Sequence, residues 1–156
     1  MLYSYLIDKI KANFPFEPTK DQLKVIELLS EFILTKESKS LMLIKGYAGT
    51  GKTSLIASVI KVLNELKQKT VLLAPTGRAA KVFSSYAGHP AYTIHKEIYR
   101  QKTQTSFEAD FSLDKNFKKE TLFFVDEASM ISNQGFSESL FGSGRLLDDL
   151  LSYVLF

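Results

Sequence analysis

At 156 residues, with 45% hydrophobic and 24% charged side chains, the chain suits one compact domain able to bury a core, which excludes disorder as its default state. Having no cysteine, it excludes disulfide frameworks, thiolate metal sites and cysteine nucleophiles together, and it suits a reducing compartment. A net charge of +3 admits a polyanionic partner without requiring one, and no apolar run approaches the roughly 20 residues that span a bilayer, so a cytoplasmic protein is expected.

In chain order, residues 1–38 carry two short helical patterns separated by Phe14-Pro-Phe-Glu-Pro18. The second places Leu23, Ile26, Leu29 and Ile33 at helical spacing after Thr19. This predicts an N-terminal helical segment. Residues 39–156 then alternate strand and helix patterns. Leu41-Met-Leu-Ile-Lys45 predicts a strand running into a glycine-rich loop, and Leu55, Ile56, Val59, Ile60 and Leu63 recur as on a helix. Val71-Leu-Leu-Ala74 predicts a second strand, stopped by Pro75-Thr-Gly77 before a helix containing Ala79, Ala80, Val82 and Phe83. Residues 101–120 are polar and carry no periodicity that assigns them. Thr121-Leu-Phe-Phe-Val125 predicts a third, buried strand leading into Asp126 and Glu127. A last helical pattern gathers Leu146, Leu147, Leu150, Leu151, Val154 and Leu155 on one face, with Asp148 and Asp149 opposite. Such alternation predicts an α/β fold, a parallel sheet flanked by helices, with its chemistry at the C-terminal ends of the strands.

The loop Gly46-Tyr-Ala-Gly-Thr-Gly-Lys-Thr53 matches Gly-x-x-x-x-Gly-Lys-Thr completely and has a strand pattern before it and a helix pattern after it. Glycines at 46, 49 and 51 allow a tight turn that aims successive N–H groups inward, and the helix start adds partial positive charge. The cradle so formed comprises Gly46, Tyr47, Ala48, Gly49, Thr50, Gly51, Lys52, Thr53 and Ser54. In it, Lys52 reaches the β and γ phosphates of ATP and the Thr53 hydroxyl completes a magnesium shell. The bland alternative is a glycine-rich turn with a surface lysine. Downstream, Asp126 is placed to hold Mg2+ and Glu127 to orient or deprotonate the water attacking the γ phosphate, the alternative being an acidic helix start.

Three further segments lie between and beyond these sites: Ala74-Pro-Thr-Gly-Arg-Ala-Ala-Lys81, Thr93-Ile-His95 and Asp126-Glu-Ala-Ser-Met130. In this order they resemble motifs Ia, Ib and II of the superfamily 1B DNA helicases, the RecD/Dda-like group. The resemblance implies a RecA-like P-loop ATPase domain in residues 39–156, acting as the first motor domain of an ATP-dependent 5′–3′ helicase that translocates on single-stranded DNA. It further implies that Pro75, Thr76, Arg78, Thr93 and His95 lie along the strand and that Gln22, in Thr19-Lys-Asp-Gln22, reads the adenine edge. Local alternatives stand beside each: Thr76 and Thr93 sit where helix N-caps belong, His95 can be a packing residue, and Thr19 with Gln22 satisfies a capping box.

A helicase of this family has two such domains, and neither a Gly-Asp-x-x-Gln segment nor a motif carrying an arginine finger follows here. The expectation is therefore an incomplete sheet, a fragment inactive in unwinding, and an apolar C-terminal face that meets the sheet, another copy or, preferably, the remaining motor domain. A P-loop ATPase of the AAA remodelling type that does not act on DNA, and a noncatalytic DNA-binding module, are the competing readings.

Overall fold

The computed structural model describes residues 1–102, 110–134 and 141–156. Its elements run α1 (Leu2–Asn13), α2 (Lys20–Thr35), α3 (Lys52–Glu65), β1 (Lys69–Ala74), α4 (Gly77–Ala87), β2 (Ala91–Thr93), α5 (Ile94–Ile98), β3 (Tyr99–Gln101), β4 (Phe111–Leu113), β5 (Thr121–Val125) and α6 (Leu146–Leu155). Strands β2, β1 and β5 form a parallel sheet in that order; the alternating pattern predicts a parallel sheet, but β2 takes the place of no predicted strand. Leu72 pairs with both Ala91 and Phe124, so β1 is the central strand.

Successive β1 side chains face opposite layers, which is the two-residue period of a strand. Leu72 joins Ala57 and Ile60 of α3 and Phe83 and Ala87 of α4 on one side. Leu73 joins Ile94 and Ile98 of α5, Tyr99, and Leu150 and Tyr153 of α6 on the other. A third apolar group unites α1, α2 and α3 through Leu6, Ile10, Phe14, Ile26, Leu29, Leu55, Val59 and Leu63. The N-terminal segment thus shares its core with the helix that follows the glycine-rich loop. Ser58 adds a polar tie, its hydroxyl donating to the carbonyls of Ser54 and Asn13 at 2.9 and 3.2 Å.

The structure departs from the sequence expectations at four places. Residues 41–45 have a strand's alternating burial, with Met42 and Ile44 packed inward and Leu41 and Leu43 65% and 63% exposed, but they join no ladder. The period-2 pattern encodes one covered face; a ladder also needs a neighbour aligned to receive its backbone hydrogen bonds. For the same reason β5 is half-buried rather than buried: it is an edge strand. Within the unassigned stretch 101–120, Phe111–Leu113 pairs antiparallel with Tyr99–Gln101, while residues 103–109 lie outside the described residues.

The fourth departure is α6. Its apolar face packs on the sheet layer through Leu146, Leu150, Tyr153 and Val154, so that face already has a partner within the chain. Asp149 does not lie on a solvated face. It is 6% exposed and accepts hydrogen bonds from the Tyr99 hydroxyl at 2.6 Å, the Ser143 N–H at 3.0 Å and the Ser143 hydroxyl at 2.7 Å. Three donors offset the cost of burying a carboxylate, which helical periodicity alone could not reveal. Burial, and then the bond to Asp149, hold the Tyr99 hydroxyl protonated well above the ordinary tyrosine range.

Candidate nucleotide and nucleic-acid site

Gly51 caps α3 with φ 81°, and no side chain occupies the cap, so the first N–H groups of the helix stay open to an anion. A Cβ at Gly51 would also stand 3.0 Å from Gln22 Nε2, so glycine is needed there for both conformation and space. The loop before it is exposed, and Tyr47 at 91% projects into solvent. Lys52 folds back into its own loop, donating from Nζ to the carbonyl oxygens of Gly46 at 2.6 Å and Tyr47 at 2.7 Å. The ammonium therefore already occupies the concavity where phosphate charge is expected. Phosphate oxygens, being anionic, are stronger acceptors than the two carbonyls it holds.

Gln22 performs the capping-box role and one more. Its Oε1 accepts from Thr19 N–H at 2.9 Å, the Thr19 hydroxyl oxygen accepts from Gln22 N–H at 3.2 Å, and Gln22 Nε2 donates to the Thr50 carbonyl at 3.0 Å. The glutamine thus braces the glycine-rich loop against α2. Each end of its amide makes one bond, which leaves a second N–H and a second lone pair open to a further partner.

At the end of β5, Asp126 N–H donates to the Leu73 carbonyl at 3.0 Å, which fixes the start of the turn against β1. The Asp126 carboxylate then accepts from Thr53 Oγ1 at 3.4 Å and from Glu127 N–H at 3.0 Å. Residues 73 positions apart are thereby brought together as the sequence pattern expects. A hydroxyl and one carboxylate suit magnesium, which keeps most of its shell as water and phosphate oxygen. Among the described residues no group of three His, Cys, Asp or Glu forms a metal cage, so a cation here must draw its other ligands from the nucleotide and solvent. Glu127 is exposed and left-handed at φ 54°, an uncommon conformation outside glycine that turns its side chain off the line of the strand. It precedes the 3-10 turn Ala128–Met130 without a side-chain capping bond, so the helix-start alternative does not take its usual capping form.

Because the three strands are parallel, the turns after β1, β2 and β5 share one edge of the sheet. Pro75, Thr76 and Arg78 follow β1, and Thr93 and His95 stand at the end of β2. Both threonines do cap helices, accepting at 3.2 Å from Ala79 and Lys96 N–H respectively. His95 packs with its ring 4.9 Å from Phe141 and 5.5 Å from Tyr99, and burial lowers its pKa below the ordinary histidine value. Beside this edge lies an open groove of about 370 Å³, to which Lys81, Ser84, Tyr92 and Lys96 contribute. Lys81 closes the 74–81 segment with no role assigned to it, and the sequence carries no signal for the other three, which come from α4, β2 and α5.

The profile of the AAA domain family matches residues 20–140. The chain is 35% identical over 107 residues, 65% of its length, to the multifunctional conjugation protein TraI of Escherichia coli K12. It is 31% identical over 127 residues, 71% of its length, to UvrABC system protein B of Caldicellulosiruptor bescii. With the ATP-dependent DNA helicase dda of Enterobacteria phage T4 it shares 43% identity over 61 residues, 38% of its length. It spans only 6%, 18% and 14% of those three proteins. No helix among the described residues is long and apolar enough to cross a membrane. With a complete phosphate loop tied to a strand-end carboxylate, and with these relatives, the chain belongs to the AAA domain family as a P-loop segment of the superfamily 1 helicase kind.

Proposed function

We propose that the chain is the ATP-binding part of an ATP-dependent motor that moves 5′ to 3′ along single-stranded DNA. The observation that carries this reading is the shared sheet edge: Asp126, which follows β5 and meets Thr53 of the glycine-rich loop, and the segments after β1 and β2 are attached to the same three strands. Work done at the phosphates can then be passed through a rigid sheet to the strand-facing loops.

On nucleotide binding, Lys52 exchanges the Gly46 and Tyr47 carbonyls for β and γ phosphate oxygens, and the N–H groups from the loop into Ser54 close around them. Gln22 meets the adenine edge through the N–H and lone pair that its bonds to Thr50 and Thr19 leave open. Thr53 and Asp126 would hold Mg2+, which would supply charge neutralisation at the phosphates. Glu127 takes a proton from, or orients, the attacking water. Pro75, Thr76, Arg78, Thr93 and His95 receive the strand through main-chain and neutral polar groups plus one guanidinium, a set that binds a backbone without reading sequence. The second motor domain supplies the opposite wall of the nucleotide cleft and an arginine finger, which contributes about 10³- to 10⁵-fold in rate.

Labelled oligo(dT) titrated with the chain gives saturable binding whose logarithmic affinity falls linearly with the logarithm of salt, with a slope of about −0.7 for each phosphate neutralised. A second reading, a P-loop ATPase that does not act on DNA, is favoured by the AAA domain description of the family. Absence of binding at low salt would select it.

A further inference from the structure

We propose that the groove between α4 and the β2–α5 edge holds one nucleotide of a single-stranded polynucleotide, with Tyr92 stacking on its base and Lys81 and Lys96 meeting the flanking phosphates. The inference rests on the strand-binding reading above and extends it to Tyr92 and Lys96, which lie outside the motif segments, and to Lys81, which the motif reading gives no role.

Tyr92 lies in the edge strand β2, between the half-buried Ala91 and Thr93, and the strand's alternation turns its ring outward, 42% exposed. Lys96, four residues on in α5, holds its ammonium 4.9 Å from the ring centroid. Across the groove, Lys81 and Ser84 come from successive turns of α4. Neither lysine is in an ion pair among the described residues, and no carboxylate lines the groove. The one acid beside Lys96, Glu97, is committed elsewhere, to Lys118 and to the Tyr153 hydroxyl. Two lysines outside any ion pair, one of them held at the face of an exposed aromatic ring, in one open groove, match the alternation of phosphate and base in a single strand. An acidic peptide would satisfy the lysines and leave the ring idle; an apolar ligand would use the ring and strand the lysines. Gly77 and Thr93 line the same groove, so it continues the path proposed along the turns after β1 and β2.

The test is fluorescence anisotropy of labelled oligo(dT) and of an abasic oligonucleotide of equal length, titrated with the wild-type chain and with Tyr92→Ala, Tyr92→Phe and a Lys81→Gln, Lys96→Gln double variant. Stacking predicts that Tyr92→Ala binds oligo(dT) about 5- to 100-fold more weakly, that Tyr92→Phe restores wild-type affinity, and that neither change alters binding to the abasic strand. The double variant lowers the salt slope by about 1.4, at about 0.7 per lysine. Wild-type binding with an unaffected Tyr92→Ala variant would overturn the groove and leave the strand-binding function standing. Equal losses by Tyr92→Ala on both oligonucleotides would assign the ring to folding instead, and overturn the proposal too. No binding by wild type to either oligonucleotide at low salt, with binding to an acidic peptide, would overturn both readings.

Discussion

Lys52→Ala lowers the affinity of the chain for magnesium–ATP by about 10- to 100-fold, the effect of removing charged hydrogen bonds of about 1.5 to 3 kcal/mol. In the unliganded loop the ammonium is held by the Gly46 and Tyr47 carbonyls, so binding exchanges two neutral acceptors for anionic ones and the gain is the difference between them. Alanine removes both sets of bonds. The loop then loses its internal brace as well as its phosphate contact, but Gly51 still caps α3 and Gln22 still holds Thr50, so the cradle keeps its anchors at either side. Isothermal titration of magnesium–ATP into wild type and variant reads the effect; equal affinities would defeat the assignment of the loop to phosphate.

Glu127→Gln has the opposite signature. In the two-domain motor proposed here it lowers ATP turnover by about 10²- to 10⁴-fold and leaves ATP affinity unchanged, because glutamine keeps the shape and one acceptor but cannot take a proton. Its left-handed backbone is set by the turn after β5 and not by the carboxylate, so the substitution leaves the local conformation in place. Steady-state hydrolysis beside equilibrium nucleotide binding separates the two effects, and undiminished turnover would remove Glu127 as the base.

The meeting of Thr53 and Asp126, though 73 positions apart, was legible because each end carries its own local signature. A complete loop motif between apolar runs fixes Lys52 and Thr53, and a short apolar strand delivers Asp126, which the structure brings within 3.4 Å of Thr53. Capping was legible for a similar reason: Thr19, Thr76 and Thr93 each precede a helix and each accepts the expected N–H. What depended on distant partners was not legible. Periodicity put Asp149 on the polar side of α6, yet Tyr99, 50 residues earlier, and Ser143 make the buried side acceptable. It also gave residues 41–45 the pattern of a strand without saying which neighbour would complete the ladder. Phe111–Leu113 escaped because a three-residue strand is too short to display a period. The groove at Tyr92 escaped because its residues come from α4, β2 and α5 and meet only in the folded chain.

The central claim is that phosphate chemistry and strand contact are two ends of one machine, joined through the sheet. The measurement that tests it most directly is the ATP hydrolysis rate of the two-domain motor with and without single-stranded DNA. The account predicts a rate that rises on adding DNA and loses that increment as salt weakens the strand contacts. A rate indifferent to DNA at every salt concentration would contradict it.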